Sequence, residues 1–503
     1  MATAFSLFNA MLKKANNEGK IKIMAQASDK TEKTVQAAPP PMTSGGERLS
    51  YWSYFVGQSM SYTMLGGFLT TYMMMIGIDL TKIATAMVIV KLWDAVNDTI
   101  FGVIFDRVKF KSGNKSLPWL RMTLVLIPLT TIFIYQIPGA LSQTAKIVWF
   151  VVGYILWDTA YTLSDIPIYN LVTMMTTNLI ERNSILSIAR VFALGGAFIT
   201  SMLATVLVSE RVGFSFAQTA LLISLIVVLT MIPVAIKGKE RIKTKPSEEK
   251  YSFGKMLHYL RSNKYLLLFY SGYIISGVLM TQAAIDLFVS YYLFGSALFS
   301  TLMLVLSALP MLIISPLINR ILKHVDKFRL FYWANAAFVV TGLVVYLVGY
   351  KNVLLYIILV IIRSIPYGLI YTINLTFTPD AVEYGQFKTG VDARGVAFAI
   401  QSFAAKFTSL AQPIGLFILS LFGWVTIDAS SFAQLQSMHI EQTAMALNGL
   451  WITATLVPVI GTALALIPYH FYKLNDKDVQ VMAKFNAGEI TRAEADAALS
   501  RKY

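Results

Sequence analysis

The 503-residue chain contains no cysteine and only four histidines. Without thiols it has no disulfide framework, no thiolate metal site and no cysteine nucleophile. His258, His324, His439 and His470 fall in loops or at the ends of apolar runs, scattered through the second half, so no catalytic or metal-ligating histidine cluster is visible. Charge is scarce too: 14% of residues are charged, where a soluble domain carries about a quarter. No Gly-x-x-x-x-Gly-Lys-[Ser/Thr] phosphate loop occurs, which excludes ATP-driven pumping by this chain alone. Together with the lack of a large polar domain, these gaps argue against a polytopic enzyme or a sensor.

What the chain has is apolar length. Hydrophobic residues make up 56% of it, and the mean hydropathy is +0.61. Runs long enough to cross about 30 Å of hydrocarbon as helices recur between Gly, Pro and charge clusters. Twelve can be read, from 51–75 and 83–105 through to 393–422 and 447–471. The expected fold is therefore an all-α membrane protein of twelve transmembrane helices. The polar break KGKERIKTKPSEEKYSFGK, Lys237 to Lys255, divides them into two six-helix halves, 48–236 and 264–472, joined by a cytoplasmic linker, 237–263. Residues 1–47, with the run APPPMTSGG and no apolar leader core, read as a disordered cytoplasmic arm that allows a short helix near Phe5 to Lys14. Residues 473–503 read as a cytoplasmic tail containing a short soluble helix.

The net charge of +15 is a topology signal rather than a nucleic-acid footprint. Most of the 42 lysines and arginines fall in segments that are cytoplasmic if the amino terminus is inside. A multi-pass protein of the cell membrane with both termini in the cytoplasm is expected, without a nucleic-acid partner.

Against this apolar background the stretch KLWDAVNDTIF, Lys91 to Phe101, stands out. Each charge at the centre of a membrane helix costs about 2.5 to 3.5 kcal/mol, so Lys91, Asp94 and Asp98 need partners. At 100° per residue these three lie within an arc of about 60°, with Asn97 one step round, and all four can face a polar interior. The fourth span repeats the pattern in WDTAYTLSDIPIY, where Asp158, Tyr161, Thr162, Asp165 and Tyr169 share a face. Carboxylates, an amide and a hydroxyl are hard oxygen donors, suited to a small monovalent cation or a proton. Asp94, Asn97, Asp98 and Thr162 are the expected cation ligands, whereas Asp158 reads equally well as a structural charge. Isolated charges recur at Arg190, Asp286, Arg363 and Lys406, and for Asp286 and Arg363 structural pairing or water contact comes first. Two halves with polar groups on a few spans suggest a secondary transporter with its site between the halves.

After the second span, Gly102, Asp106 and Arg107, followed by Lys109 and Lys111, resemble the Gly-x-x-x-Asp-Arg loop of the major facilitator superfamily. That points to gating or structural roles for Lys91, Asp106, Arg107 and Arg363. KLWDAVNDTIFGVIFDR with Pro118-Trp119, AYTLSDIPIYNLV, ERNSILSIAR, PDAVEYGQFKTGVDARG and AIQSFAAKF together resemble the glycoside-pentoside-hexuronide:cation symporters, over about residues 49–475. The resemblance implies sodium- or proton-coupled symport of a sugar or glycoside, with the coupling ion as the only cofactor-like species and one chain as the transport unit. Family solute-binding positions fall on Tyr161, Asp165, Tyr169, Arg190, Tyr371, Gln401, Ser402 and Lys406. Members like the melibiose permease have tryptophan at Tyr169 and Tyr371 and threonine at Ser402. They also carry a Lys-Asp pair where this chain has Gln58 and Ser59. One solute-binding carboxylate is thus missing, and with Arg190 and Lys406 retained a uronide is a possible solute beside a neutral sugar. The alternative is a transporter of the same fold for a non-sugar solute such as a lysolipid.

Overall fold

The computed structural model describes residues 41–242, 253–374 and 376–503. The expectations for the arm before residue 41, for 243–252 of the linker and for the side chain of Asp106 lie outside the described residues. Among the described residues no strand forms, and the extended contact is an isolated bridge between Ile76 and Asp428. A bilayer offers no water to backbone N–H and C=O groups, so helices that satisfy their own are the form such apolar runs can take.

Ten helical segments have both the length and the apolarity to cross a membrane. Two others have the length with more polar sequences. The first span runs through Gly45–Thr63, a π-turn at Met64–Phe68 and Leu69–Met75. The second, Leu80–Arg107, carries the intramembrane charges. The first begins six residues before the apolar run because Ser44 and Glu47 form a capping box, with each side chain bonded to the other's backbone N–H. Asp79, Ser142, Asn178 and Ser215 cap the second, fourth, fifth and sixth spans similarly. The third and fourth spans are Leu117–Ile134 and Gln143–Met175. The fifth and sixth are Leu179–Val208 and Phe216–Lys237.

In the second half the seventh span is broken into Lys264–Val278, Thr281–Ala284 and Asp286–Phe294. The eighth, ninth and tenth are Phe299–Ile321, Lys327–Val348 and Val353–Asn374. The eleventh breaks between Arg394–Thr408 and Ala411–Ser420, and the twelfth runs from Ala444–Trp451 through Ile452–Leu456 to Val457–His470. The halves repeat one packing pattern. The third span lies against the fourth and sixth, as the ninth lies against the tenth and twelfth, and the second lies against the fourth as the eighth does against the tenth. The tail folds into helices Asp476–Asn486 and Arg492–Ala498 that pack on a further helix, Phe377–Thr389.

The even number of spans puts Met42 and the tail at one end of the bundle, here the terminal end. At the opposite, far end the halves are fused. Gly77 N–H donates to Ile427 O and Ala429 N–H to Met75 O, both at 2.7 Å. Glu210 accepts from the N–H of Ala297 at 3.2 Å and from the Ser296 hydroxyl. Leu287, Phe288, Leu416 and Phe432 of the second half belong to the same apolar cluster as the first-half core. Toward the terminal end the second half keeps a cluster of its own, around Phe269, Phe331 and Tyr469. Among the described residues the ion pairs there do not join the halves, with Arg241 of the linker on Glu47 at 2.7 Å and Lys327 on Asp380 at 2.5 Å.

Candidate functional site

Close packing fixes the first span against its neighbours. A β-carbon on Gly196 of the fifth span would stand 2.6 Å from Val56 O, so only glycine permits this approach. The fourth span is held by Tyr54, whose hydroxyl bonds Ser164 at 2.7 Å and Thr123 at 3.0 Å. These contacts set the polar face of the fourth span opposite that of the second.

Asn97, fully buried, is the centre of the resulting cluster. Its amide donates to Asp158 Oδ2 at 2.8 Å and to Thr162 Oγ1 at 2.9 Å. Thr162 in turn donates to Asp98 Oδ1 at 3.2 Å. The remaining polar atom of Asn97, Oδ1, is buried with no hydrogen-bond partner. From the second half Lys406 enters the same cluster. Its Nζ lies 2.6 Å from Asp98 Oδ2 and 3.1 Å from Asp94 Oδ1, and it donates to the backbone carbonyl of Asp94 at 2.7 Å. Asp94, Asn97, Asp98 and Thr162 are thus brought together around oxygens that already hold one cationic group.

Lys91 does not share that role despite lying on the same arc. Its Nζ donates to Tyr154 OH at 2.8 Å and sits 5.2 Å from that ring. Helical side chains tilt toward the helix amino terminus, so Lys91 reaches away from the acids that follow it. Asp158, ambiguous in the sequence, is 6% exposed and joined to the cluster through Asn97. Its spacing of four residues from Thr162 was the signal. Among the described residues no three His, Cys, Asp or Glu side chains converge as a metal cage. The donor set is instead a mixture of carboxylate, amide and hydroxyl, with an unused carbonyl oxygen.

One helical turn on from Thr162, Asp165 accepts from Gln58 Nε2 at 3.2 Å, and Gln58 also donates to Ser164. Gln58 therefore orients the remaining carboxylate. Tyr161 stacks on Trp157 at 5.0 Å, and Tyr169 packs edge-on to Phe55 at 5.5 Å. Tyr169, Arg190, Tyr371 and Ser402 are exposed, and a charge such as Arg190 is stable on a membrane helix only where it meets water or a polar partner. Gln401 is engaged within its own half, accepting from Thr378 at 2.7 Å. Arg107 is exposed at the terminal end of the second span. Arg363 is not part of this site and lies with Asp286 in a separate far-end cavity.

A helical bundle of two repeated halves, with a buried polar cluster where they meet, has the build of a membrane transporter. Solved structures share that fold: a variant of the nucleoside transporter NupG matches with a TM-score of 0.60 at 11% identity, covering 83% of this chain and 99% of that one. A bacterial homologue of the human lysosomal transporter Spinster, in its inward-facing, unoccupied conformation, matches with a TM-score of 0.57 at 10% identity, covering 89% and 98%. The family model described as MFS/sugar transport protein matches residues 50–476, and the chain belongs to that family, within the major facilitator superfamily. The "Uncharacterized symporter YnaJ" of Bacillus subtilis (strain 168) is 27% identical, covering 87% of this chain and 94% of that protein. The isoprimeverose transporter of Lactiplantibacillus pentosus is 25% identical, covering 88% and 91%. The protein is accordingly a multi-pass membrane transporter of the sugar-transport type, not an enzyme.

Proposed function

We propose that the protein couples the inward movement of a sugar or glycoside to that of a small cation, sodium or a proton, across the cell membrane, with both termini in the cytoplasm. The observation that carries this reading is the placement of the Lys406 ammonium among the oxygens of Asp94 and Asp98, 3.1 and 2.6 Å away respectively. An ammonium and a small cation compete for the same lone pairs, and Lys406 belongs to the half opposite its acids. A cation that binds Asp94 and Asp98, and draws on the unpartnered Asn97 Oδ1, releases the tie between the halves. Solute held at Asp165 sits on the same helical face as Thr162, so the two ligands sense one another.

The resting orientation supports the same account. The halves are bonded to one another at the far end, while the ion pairs described at the terminal end do not join them, and the basic segments lie at that terminal end, which is cytoplasmic by the positive-inside rule. The solute class is supported by relatives named as transporters of isoprimeverose and lactose. A neutral sugar is the better fit. Asp165, held by Gln58, accepts from the hydroxyls of a neutral sugar and repels the carboxylate of a uronide.

The test is uptake of isoprimeverose, lactose, a glucuronide and a lysolipid into vesicles under imposed sodium or proton gradients. Gradient-driven accumulation of a sugar that is lost in Asp94→Asn and Asp98→Asn, with protein still in the membrane, supports the reading. Accumulation unaffected by either gradient refutes the coupling, and uptake of the lysolipid alone refutes the sugar.

A further inference from the structure

A cavity of about 530 Å³ lies at the far end, apart from the cluster around Asn97. Both halves wall it: Phe68 and Thr205 face the seventh, eighth and tenth spans. Two opposite charges line it, Asp286 and Arg363, and they form no ion pair with one another or with any other described residue. Arg363 is only 8% exposed, lies 4.4 Å from the Phe338 ring, and leaves its Nε without a hydrogen-bond partner. The Thr301 hydroxyl, also on the wall, is buried and unpartnered. Asp286 accepts one long bond, from Gln282 at 3.4 Å. A buried guanidinium with an unused donor and a carboxylate with unused lone pairs are costly to keep unless something meets both.

We propose that this cavity is a second solute-binding station, for an uncharged polyhydroxylated molecule of mono- to disaccharide size. Hydroxyl oxygens accept from Arg363, hydroxyl protons are donated to Asp286, and the C–H faces of the ring lie on aromatic walls supplied by Phe294, Phe299 and Tyr356. The opposed charges select against a net-charged ligand, which would compensate one and repel the other. The volume lies within the usual range for small-molecule pockets, about 300 to 1,000 Å³. Asp286, Thr301, Arg363 and the aromatic walls all belong to the second half and stay together when the closed end opens, so solute would meet this station before the central site. The inference rests on the sugar reading of the central site.

Equilibrium dialysis of labelled isoprimeverose and lactose against the full chain in nanodiscs tests it. The parent is expected to bind two molecules per chain. Asp165→Asn retains one of them. The double variant Arg363→Gln/Asp286→Asn, which removes both charges and leaves none uncompensated, retains the other with unchanged affinity. Thr301→Val, isosteric and mild, weakens only the far-end binding, by about fivefold to tenfold. One molecule per chain in the parent, unaffected by the double variant and by Thr301→Val, overturns the second station and leaves the central site standing. A parent that binds neither sugar overturns the sugar reading, and this proposal with it.

Discussion

Replacing Lys406 with methionine separates two roles that this lysine can play. If its ammonium merely scaffolds Asp94 and Asp98, its loss disorganises the ligands and the coupling ion binds more weakly. If it is a built-in competitor for their oxygens, its loss frees them and the ion binds more tightly. The contacts of 2.6 and 3.1 Å are short, but Lys406 and Asp98 are partly exposed, with side-chain exposures of 26% and 52%. Coulomb attraction at such distances is therefore heavily screened, and a net contribution of about 1 to 3 kcal/mol is reasonable for a half-buried charge pair. Removal of the competitor then tightens the ion by roughly fivefold to 150-fold, since about 1.4 kcal/mol is a factor of ten. Calorimetric titration of sodium into purified parent and Lys406→Met, repeated at a series of pH values to include the proton, measures it. Uptake against a gradient should fall at the same time, because nothing in the variant expels the ion for the return step. An ion affinity in Lys406→Met equal to or weaker than the parent's would falsify the competition argument.

Thr162→Ala removes the hydroxyl that links Asn97 to Asp98 and lies one turn from Asp165. It should shrink the factor by which ion and solute raise one another's affinity, a coupling of about 1 to 3 kcal/mol, as seen in reciprocal titrations. Gly196→Ala sets a β-carbon against Val56 O and should cost about 1 to 3 kcal/mol, read as a lower melting temperature in detergent; an unchanged melt would show that the first and fifth spans can part freely. In the tail, burial alone would raise the carboxyl of Asp478, but hydrogen bonds from Ser500, Tyr503 and Asn475 outweigh it and hold it below the usual range. Its folded value is depressed, so tail docking is fully supported above about pH 4 and is lost as pH falls through the lowered value. Amide exchange in 476–503 should accelerate there, and should not in Asp478→Asn, whose tail is already loosened. For topology, a cysteine placed at Lys245 in this thiol-free chain should react with an impermeant reagent only after cells are opened; labelling from outside intact cells inverts the orientation.

The spans were legible because apolar length is a one-dimensional property and lipid leaves few alternatives to a helix. Their starts were less so. The first span begins at Gly45 through the reciprocal bonds of Ser44 and Glu47, which hydropathy does not register. The grouping of Asp94, Asn97 and Asp98 on one face followed from helical periodicity alone. Their neutralisation by Lys406 did not, because that contact joins residues 312 positions apart and depends on how the two halves lean together. The partner of Lys91 was hidden for a related reason: angular position places a side chain on a face, while its tilt along the axis decides which neighbour it meets. Gln58 looked like a lost carboxylate, and its work in orienting Asp165 appears only once the first and fourth spans are side by side.

The uneven division of the core has a thermal consequence. Parting the halves at the far end exposes shared apolar surface around Phe288, Leu416 and Phe432, whereas the apolar cluster at the terminal end lies within the second half and is not divided when the halves part there. The change between the two orientations therefore carries a positive heat capacity in the direction of far-end opening. Cooling weakens the apolar seal and warming strengthens it over the physiological range. The balance between outward and inward states is then set by temperature as well as by ligands, and a plot of the logarithm of turnover against reciprocal temperature bends wherever far-end opening limits the cycle.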